Sequence, residues 1–236
     1  MRRALIVAID GPAGAGKSSI AKALASRLDY QLVDTGALYR TVAYAAIQRG
    51  FNLETDKSLI ADLAAELAQS RAIALTTNSD GSAGVTLFGK DVSNQIRTPE
   101  VALAASVISA QVGVRSALLS LQRQAGERGG VVLEGRDIGT VVFPDAHVKF
   151  FLTASAEERA RRRYEELLEK GSDASFADTL RDVKERDERD MRREVAPLRQ
   201  AEDARLVDST GKSLQEVINE MMQVIEARAS LAPAAP

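Results

Sequence analysis

Apolar residues along the chain fall into two rhythms. Ala4–Ile9 is an unbroken apolar run that stops at Asp10, as expected of a strand covered on both faces. Ser18–Leu28 carries Ile20, Leu24 and Leu28 at i, i+4 and i+8, a helical period. Gln31–Val33 reads as a short second strand, and Val131–Leu133, Val148–Leu152 and Leu206–Val207 read as further strands. The last is followed by a helical pattern through Leu214, Val217, Ile218, Met221, Met222 and Ile225. Strands alternating with helices predict an α/β fold, a central five-stranded parallel sheet flanked by helices.

The stretch from about Ile73 to Val92 breaks that rhythm. Ile73–Leu75 and Val85–Phe88 flank the turn-forming Asn78-Ser79-Asp80-Gly81, and Gly89-Lys90-Asp91 then turns the chain into Val92. A small antiparallel sheet is therefore expected inside an otherwise parallel design. It is reached through alanine-rich helices around Ala43–Ile47 and Leu59–Leu67. No internal repeat is present. Ala229–Pro236 has no pattern and reads as a disordered tail.

Composition narrows the chemistry. Of 236 residues, 45% are apolar and 27% charged; Lys plus Arg is 31 against 33 for Asp plus Glu, a formal charge of -2. That is the composition of a globular domain, and its neutrality predicts neither a nucleic-acid nor a membrane partner. There is no cysteine and one histidine, His147, which argues against disulfides, cysteine-held zinc, multi-histidine metal sites and a serine–histidine–aspartate triad. His147 adjoins a buried strand and reads as structural. No apolar run reaches the ~18 residues of a membrane span. Met1-Arg2-Arg3 precedes only six apolar residues, short of the roughly 7–15 in a signal peptide. A cytoplasmic protein is expected.

Gly11-Pro12-Ala13-Gly14-Ala15-Gly16-Lys17-Ser18, followed by Ser19, matches the P-loop pattern G-x-x-x-x-G-K-[ST] between a strand and a helix. Small residues let successive backbone N–H groups converge on one anion, and the helix N-terminus adds its positive end. Lys17 supplies a point charge for the β- and γ-phosphates, and Ser18 is the candidate Mg²⁺ contact. The segment is expected to bind a nucleoside triphosphate.

Other polar constellations sit after predicted strands, where open α/β sheets place their ligands. In Asp34-Thr35-Gly36-Ala37-Leu38-Tyr39-Arg40, Arg40 suits a second phosphate. Thr35 suits a base or ribose, or alternatively caps a helix. In Glu134-Gly135-Arg136-Asp137-Ile138-Gly139-Thr140, Arg136 suits a phosphate and Asp137 a base edge; a local salt bridge is the alternative. Arg186, Asp190 and Arg193 share a helix face, fit either for a ribose and adjoining phosphate or for solvated ion pairing. Ser155-x-x-Glu158 is a capping box opening a helix with Arg159, Arg162 and Arg163 on neighbouring positions. Like charges so close suit a lid over a transferring phosphoryl, or a basic helix balanced by Glu165, Glu166 and Glu169.

Taken together these segments resemble the bacterial cytidylate kinases, nucleoside monophosphate kinases of the P-loop class. The resemblance runs over about residues 5–227. It is carried by the P-loop, by Asp34 through Arg40, by Ile96-Arg97-Thr98 with Glu100-Val101, and by the long run Gly135 through Ala146. Lys184 through Arg193, Ala196-Pro197-Leu198 and Asp208-Ser209-Thr210 complete it. It implies a core (1–36, 116–154 and 176–228), a nucleoside monophosphate-binding subdomain (37–115) holding the antiparallel insert (about 73–92), and a lid (155–175). Carried over by position, Arg40, Arg136 and Arg193 hold the CMP phosphate. Ser106, Arg115 and Asp137 read cytosine, Arg186 and Asp190 hold the ribose, and Asp34 and Thr35 line the same pocket. Arg162 and Arg163 match the lid pair, and Asp208–Thr210 lies where the ATP base is expected. The positions that resemble catalytic ones are Lys17, Arg136, Arg162, Arg163 and Arg193.

Three positions depart from the family pattern. Ala13 stands where Ser is frequent, Thr35 where Ser is frequent, and Glu134 where Asp is common. The first removes a hydroxyl, the second keeps one, and the third lengthens a carboxylate's reach toward water-bound Mg²⁺. The implied activity is ATP plus CMP giving ADP plus CDP, with Mg²⁺ and with dCMP as a second acceptor. The implied protein is a monomer needing no obligate protein partner. A kinase for another acceptor such as UMP, and a non-enzymatic nucleotide switch, are the competing expectations.

Overall fold

The structure, a computed structural model, describes residues 4–78, 80–169 and 171–231. In chain order the elements are β1 (Ile6–Asp10), α1 (Lys17–Leu28), β2 (Gln31–Asp34), α2 (Thr35–Gln48) and α3 (Lys57–Gln69). Next come β3 (Ile73–Thr77), β4 (Ala83–Leu87), β5 (Lys90–Asp91), α4 (Pro99–Ile108) and α5 (Val112–Gly126). The chain finishes with β6 (Val131–Gly135), β7 (Val148–Thr153), α6 (Ala156–Glu169), α7 (Phe176–Arg192), β8 (Arg205–Asp208) and α8 (Leu214–Leu231).

The predicted parallel sheet is present, in the order β2-β6-β1-β7-β8, with every neighbouring pair parallel. This order decides where the site lies. The connection from β1 leaves towards β2, whereas the one from β6 crosses to β7. The loops after β1 and β6 therefore diverge to opposite sides, and a crevice opens between them at the carboxyl edge. Ile9 is paired with Glu134 and Asp10 with Gly135, so the P-loop and the Arg136–Thr140 segment leave the sheet side by side.

The core forms three apolar clusters. On one face Leu24, Phe150 and Met221 pack between the sheet and the helices α1 and α8. On the other, Ala8, Leu133, Ile138 and Phe143 pack beneath a single π turn at Ile138–Val142. Helices α2 to α5 and the insert share a separate core that includes Val42, Ile60, Leu63, Ile108 and Leu118. Local signals set the helix starts. Thr98 caps α4 at Val101 N (3.2 Å) with Pro99 in its first turn, and Ser175 caps α7 at Asp178 N (3.0 Å).

Several expectations need adjustment. The insert is a three-stranded antiparallel sheet, β3-β4-β5, but its third strand is Lys90–Asp91 and Val92 follows it, buried in the helical core. β4 ends at Leu87 because Phe88 takes a left-handed backbone (φ 50°) that turns the chain outward. The turn residue Ser79 lies outside the described residues. Helix α8 continues to Leu231, past Ala229, where the disordered tail was expected to begin; residues 232–236 and Met1–Arg3 lie outside the described residues. His147 is structural as expected, its Nδ1 accepting from Ile6 N (3.0 Å). Among the described residues no single helix is long and apolar enough to cross a membrane.

Phe150 sits on β7 beside β1 and is 1% exposed. Phe150→Ala is expected to cost ~3–5 kcal/mol through lost burial and the cavity left behind, read as a lower urea midpoint with an unchanged denaturant slope.

Candidate active site

The P-loop is shaped by glycine. A Cβ on Gly11 (φ 152°) would lie 1.9 Å from the carbonyl oxygen of Leu152, so the loop can leave β1 this close to β7 only without a side chain. Gly16 takes φ 89° as α1 begins. Lys17 is 6% exposed and folds back so that its Nζ donates to Pro12 O (2.7 Å). Burial, reinforced by the charge of Arg136, holds its ammonium well below the usual lysine range. Ser18 Oγ donates to Glu134 Oε2 (2.9 Å), while Ser19 is exposed one position further along α1.

Beyond the P-loop lies a concentration of guanidinium groups. Arg40 pairs with Asp34 at 2.5 Å, and Arg136 Nε donates to Asp190 Oδ2 (2.8 Å). Arg186 is pushed down to about 10, first by burial and then by the charge of Arg136, with Arg40 adding to it. Its Nε is buried and has no partner among the described residues, and the same holds for Arg40 Nε. Burial pushes Asp190 up, but Arg136, Arg186 and Arg193 together hold it below its usual value. Lys17, Arg40, Arg136 and Arg186 thus share one cleft whose nearest carboxylates are already engaged. Such a cleft favours anions that bring several negative charges.

A second cluster of buried polar groups adjoins this cleft, where Arg193 feels the charge of both Asp137 and Asp190. Asp137 forms a buried ion pair with Arg115, and Arg193 Nη2 approaches its other oxygen at 3.5 Å. Arg115 also lies over the Tyr39 ring, 5.5 Å from its centre, and Arg193 Nε donates to Ala196 O (2.5 Å). Ser106 Oγ is buried with no partner among the described residues. A buried orphan hydroxyl is costly, so it marks a place where a polar ligand atom fits.

Two expectations are corrected. Asp34, not Thr35, caps α2, accepting from Ala37 N (3.2 Å). The Thr35 hydroxyl, 3% exposed, donates to Glu134 O (2.8 Å); it ties β2 to β6, and its proton is committed to the backbone. The arginines of α6 do not stand as an unbalanced cluster. Arg161 pairs with Glu158 and Glu165, and Arg163 with Glu166. Arg162 also approaches the P-loop, its Nη1 3.8 Å from where a Cβ on Gly16 would stand, and its guanidinium donates to Ser209 O (2.9 Å) and pairs with Glu158 (2.9 Å). Arg159 is 4% exposed and holds Asp187 through two bonds (2.9 and 2.6 Å). The Asp208–Thr210 turn closes on itself, Asp208 Oδ1 accepting from Thr210 N and Oγ1 (2.9 and 2.7 Å).

Two carboxylates, Asp10 and Asp187, escaped assignment from the sequence, and a third, Glu134, was read there only through its reach toward water-bound Mg²⁺. Asp10 accepts from Ile138 N and Gly139 N (both 2.7 Å), which anchors the π turn to β1; burial raises it to about 6. Glu134 is raised to about 7, first by burial and then by the neighbouring charge of Asp34. Asp187 had a legible signal. Thr179 and Val183 are buried on α7, and Asp187 continues their four-residue spacing, so an inward carboxylate had to find a buried cation.

Among the described residues no group of three or more carboxylate or imidazole side chains forms a ready-made metal cage. Ser18 Oγ and the Glu134 carboxylate, with Asp34 close enough to raise the Glu134 pKa, offer a sparse oxygen set. That set fits Mg²⁺, which keeps several waters and takes few protein ligands beside substrate phosphates.

A strand–P-loop–helix facing an arginine-lined cleft, on a 2-3-1-4-5 parallel sheet, defines a P-loop phosphotransferase. The fold is shared with a solved but uncharacterised protein from Eubacterium ventriosum, with a TM-score of 0.51 at 12% identity, covering 94% of this chain and 99% of that one. The cytidylate kinase family model matches residues 7–227, and the chain belongs to that family. The cytidylate kinase of Geobacter sulfurreducens is 54% identical, covering 99% of this chain and 98% of its own length. That of Bacillus subtilis is 45% identical, covering 96% and 98%.

Because the folded protein holds the Glu134 proton more tightly than the ordinary value of 4.5, this group favours folding fully below about pH 4.5. The contribution is lost as the pH rises through about 7. Glu134→Gln, which stays neutral, is therefore expected to gain on the parent by on the order of 1–3 kcal/mol between pH 5 and pH 8, measured by thermal unfolding in metal-free buffer.

Proposed function

We propose that the protein transfers the γ-phosphoryl group of ATP to the phosphate of CMP, giving ADP and CDP, with dCMP as a second acceptor. The observation that carries this reading is the gathering of Arg136 and Arg186 beside Lys17, with Arg40 close to Arg186, at the crevice where the P-loop and the Arg136–Thr140 segment leave the sheet side by side. Family membership over nearly the whole chain supports the same acceptor. Helices α2 to α5 with the three-stranded sheet are read as the acceptor-binding part, and α6 as the lid.

The acceptor oxygen belongs to a phosphate monoester, whose second pKa is about 6, so it is largely ionised at neutral pH and needs no protein base. A site rich in arginine and built without histidine suits that chemistry. Lys17 Nζ has three protons; one goes to Pro12 O, leaving two for donor phosphates. Backbone N–H groups from Ala13 to Ser19 cradle the same phosphates. Mg²⁺, held at Ser18 with Glu134 and Asp34 nearby, neutralises donor phosphate charge when bound. Arg40, Arg136 and Arg193 fix the acceptor phosphate, and Arg186 with Asp190 the ribose. Arg162 at the P-loop edge neutralises charge as the phosphoryl moves, joined by Arg163 if α6 closes. Positioning and charge stabilisation together account for the catalysis. For the base, Asp137 and Ser106 supply an acceptor and a hydroxyl that suit the cytosine amine, which uracil lacks.

ADP release measured with CMP, dCMP, UMP and AMP offered separately tests the reading. Strong turnover with CMP and dCMP, weak with UMP and none with AMP is expected. Activity led by another acceptor would refute the cytosine assignment, and ATP binding without acceptor-dependent ADP would refute the reaction. Ser106→Ala is expected to raise the KM for CMP about five-fold, the value of roughly one hydrogen bond, with the KM for ATP unchanged.

A further inference from the structure

Arg159 is the most completely tied arginine of α6, and it faces away from solvent. Four of its five N–H groups are engaged. Nε donates to Ala154 O (2.9 Å), Nη1 to Ala13 O (3.1 Å) and Asp187 Oδ1 (2.9 Å), and Nη2 to Asp187 Oδ2 (2.6 Å). One guanidinium therefore joins the end of β7, the P-loop backbone and helix α7. Gly14 makes the approach possible, since a Cβ there would come 3.2 Å from Arg159 Cβ. A buried ion pair of this kind is costly to desolvate and is held only by good geometry, which the planar fork of arginine meets and lysine does not.

Helix α7 has two working faces. Thr179, Val183 and Asp187 are turned inward, whereas Arg186 and Asp190, with Arg193 at the helix end, are turned to the acceptor cleft. Asp187 directly follows Arg186. Any ligand anion that draws the repelling Arg186, Arg136 and Arg40 together acts on the helix that grips Arg159.

We propose that Arg159 is a positioning residue that couples the acceptor site to the P-loop, through the Asp187–Arg159–Ala13 bridge. The inference rests on the acceptor reading given above. Settling α7 around an acceptor phosphate steadies Asp187, which steadies Arg159 and with it the Ala13 carbonyl, so the donor cradle is ordered before ATP arrives. Coupling of two binding equilibria is reciprocal: ATP tightens CMP by the same factor as CMP tightens ATP.

The test measures the affinity of a non-hydrolysable ATP analogue, with and without saturating CMP, in the parent, Asp187→Asn and Arg159→Lys. The parent is expected to bind the analogue several-fold tighter with CMP present. In both variants that factor should fall towards one, while the affinity for CMP alone stays within about two-fold. A residue that merely supports the fold would lower the melting temperature and leave the factor intact, and that result overturns the proposal. Equal affinity with and without CMP in the parent also overturns it. A parent that does not bind CMP at all refutes the acceptor reading, and the coupling falls with it. Should both variants fail to fold, amide hydrogen exchange on the parent decides. CMP alone should slow exchange at Gly14 and Ala15, and unchanged exchange there overturns the proposal.

Discussion

Positive charge confined to a small, partly buried cleft is the constraint on which the rest of this structure depends. Arg136 lies close enough to Lys17 and Arg186, and Arg40 close enough to Arg186, to add to the burial that lowers the proton affinity of Lys17 and Arg186. Water would not hold them together; the fold does, by mounting them on separate rigid elements. Lys17 comes from the start of α1, Arg40 from α2, Arg136 from the loop after β6 and Arg186 from α7. Asp34 and Asp190 each take one arginine and orient it. What remains is a cleft preorganised for anions, and preorganisation of charge is what phosphoryl transfer asks of a protein.

The parallel sheet makes this arrangement possible. Its order places β1 between β6 and β7, so the P-loop is flanked by the two strands whose following segments carry Arg136 and Arg159. Around it a second group of charged and polar residues is devoted to architecture. Asp10 binds the π turn, Thr35 ties β2 to β6, Lys149 reaches across to Asp203 at 2.8 Å, and Arg159 with Asp187 fastens α6 to α7. Buried ionic groups are expensive unless fully bonded, and each of these is bonded to more than one partner or to the backbone. The separation of roles is visible on α6 itself, where Arg159 points inward while Arg161 and Arg163 form surface pairs that contribute little to stability.

The sequence-based reading succeeded where the signal was local. The P-loop needs glycine at fixed spacing, and the strands and helices announce themselves by apolar period. It was less successful where a residue's role depends on its partner. Thr35 read as a base or ribose contact, with a helix cap as the alternative, and its hydroxyl instead meets the Glu134 carbonyl, 99 residues away. The α6 arginines read as repelling charges awaiting an anion, yet each has a carboxylate within reach in this structure. The inward spacing of Thr179, Val183 and Asp187 was available in the sequence, and it marks the one place where closer attention to periodicity would have found a buried ion pair.

The sequence by itself determined the fold class and the P-loop, because periodicity, turn chemistry and glycine spacing are properties of neighbouring residues. Only the tertiary structure decided which charges face a ligand and which are consumed in holding the molecule together. Ser18 meets Glu134 across 116 residues and Arg159 meets Ala13 across 146. Ionic and hydrogen-bond energies depend on distance and burial in space, and the linear order of charges along a chain carries neither.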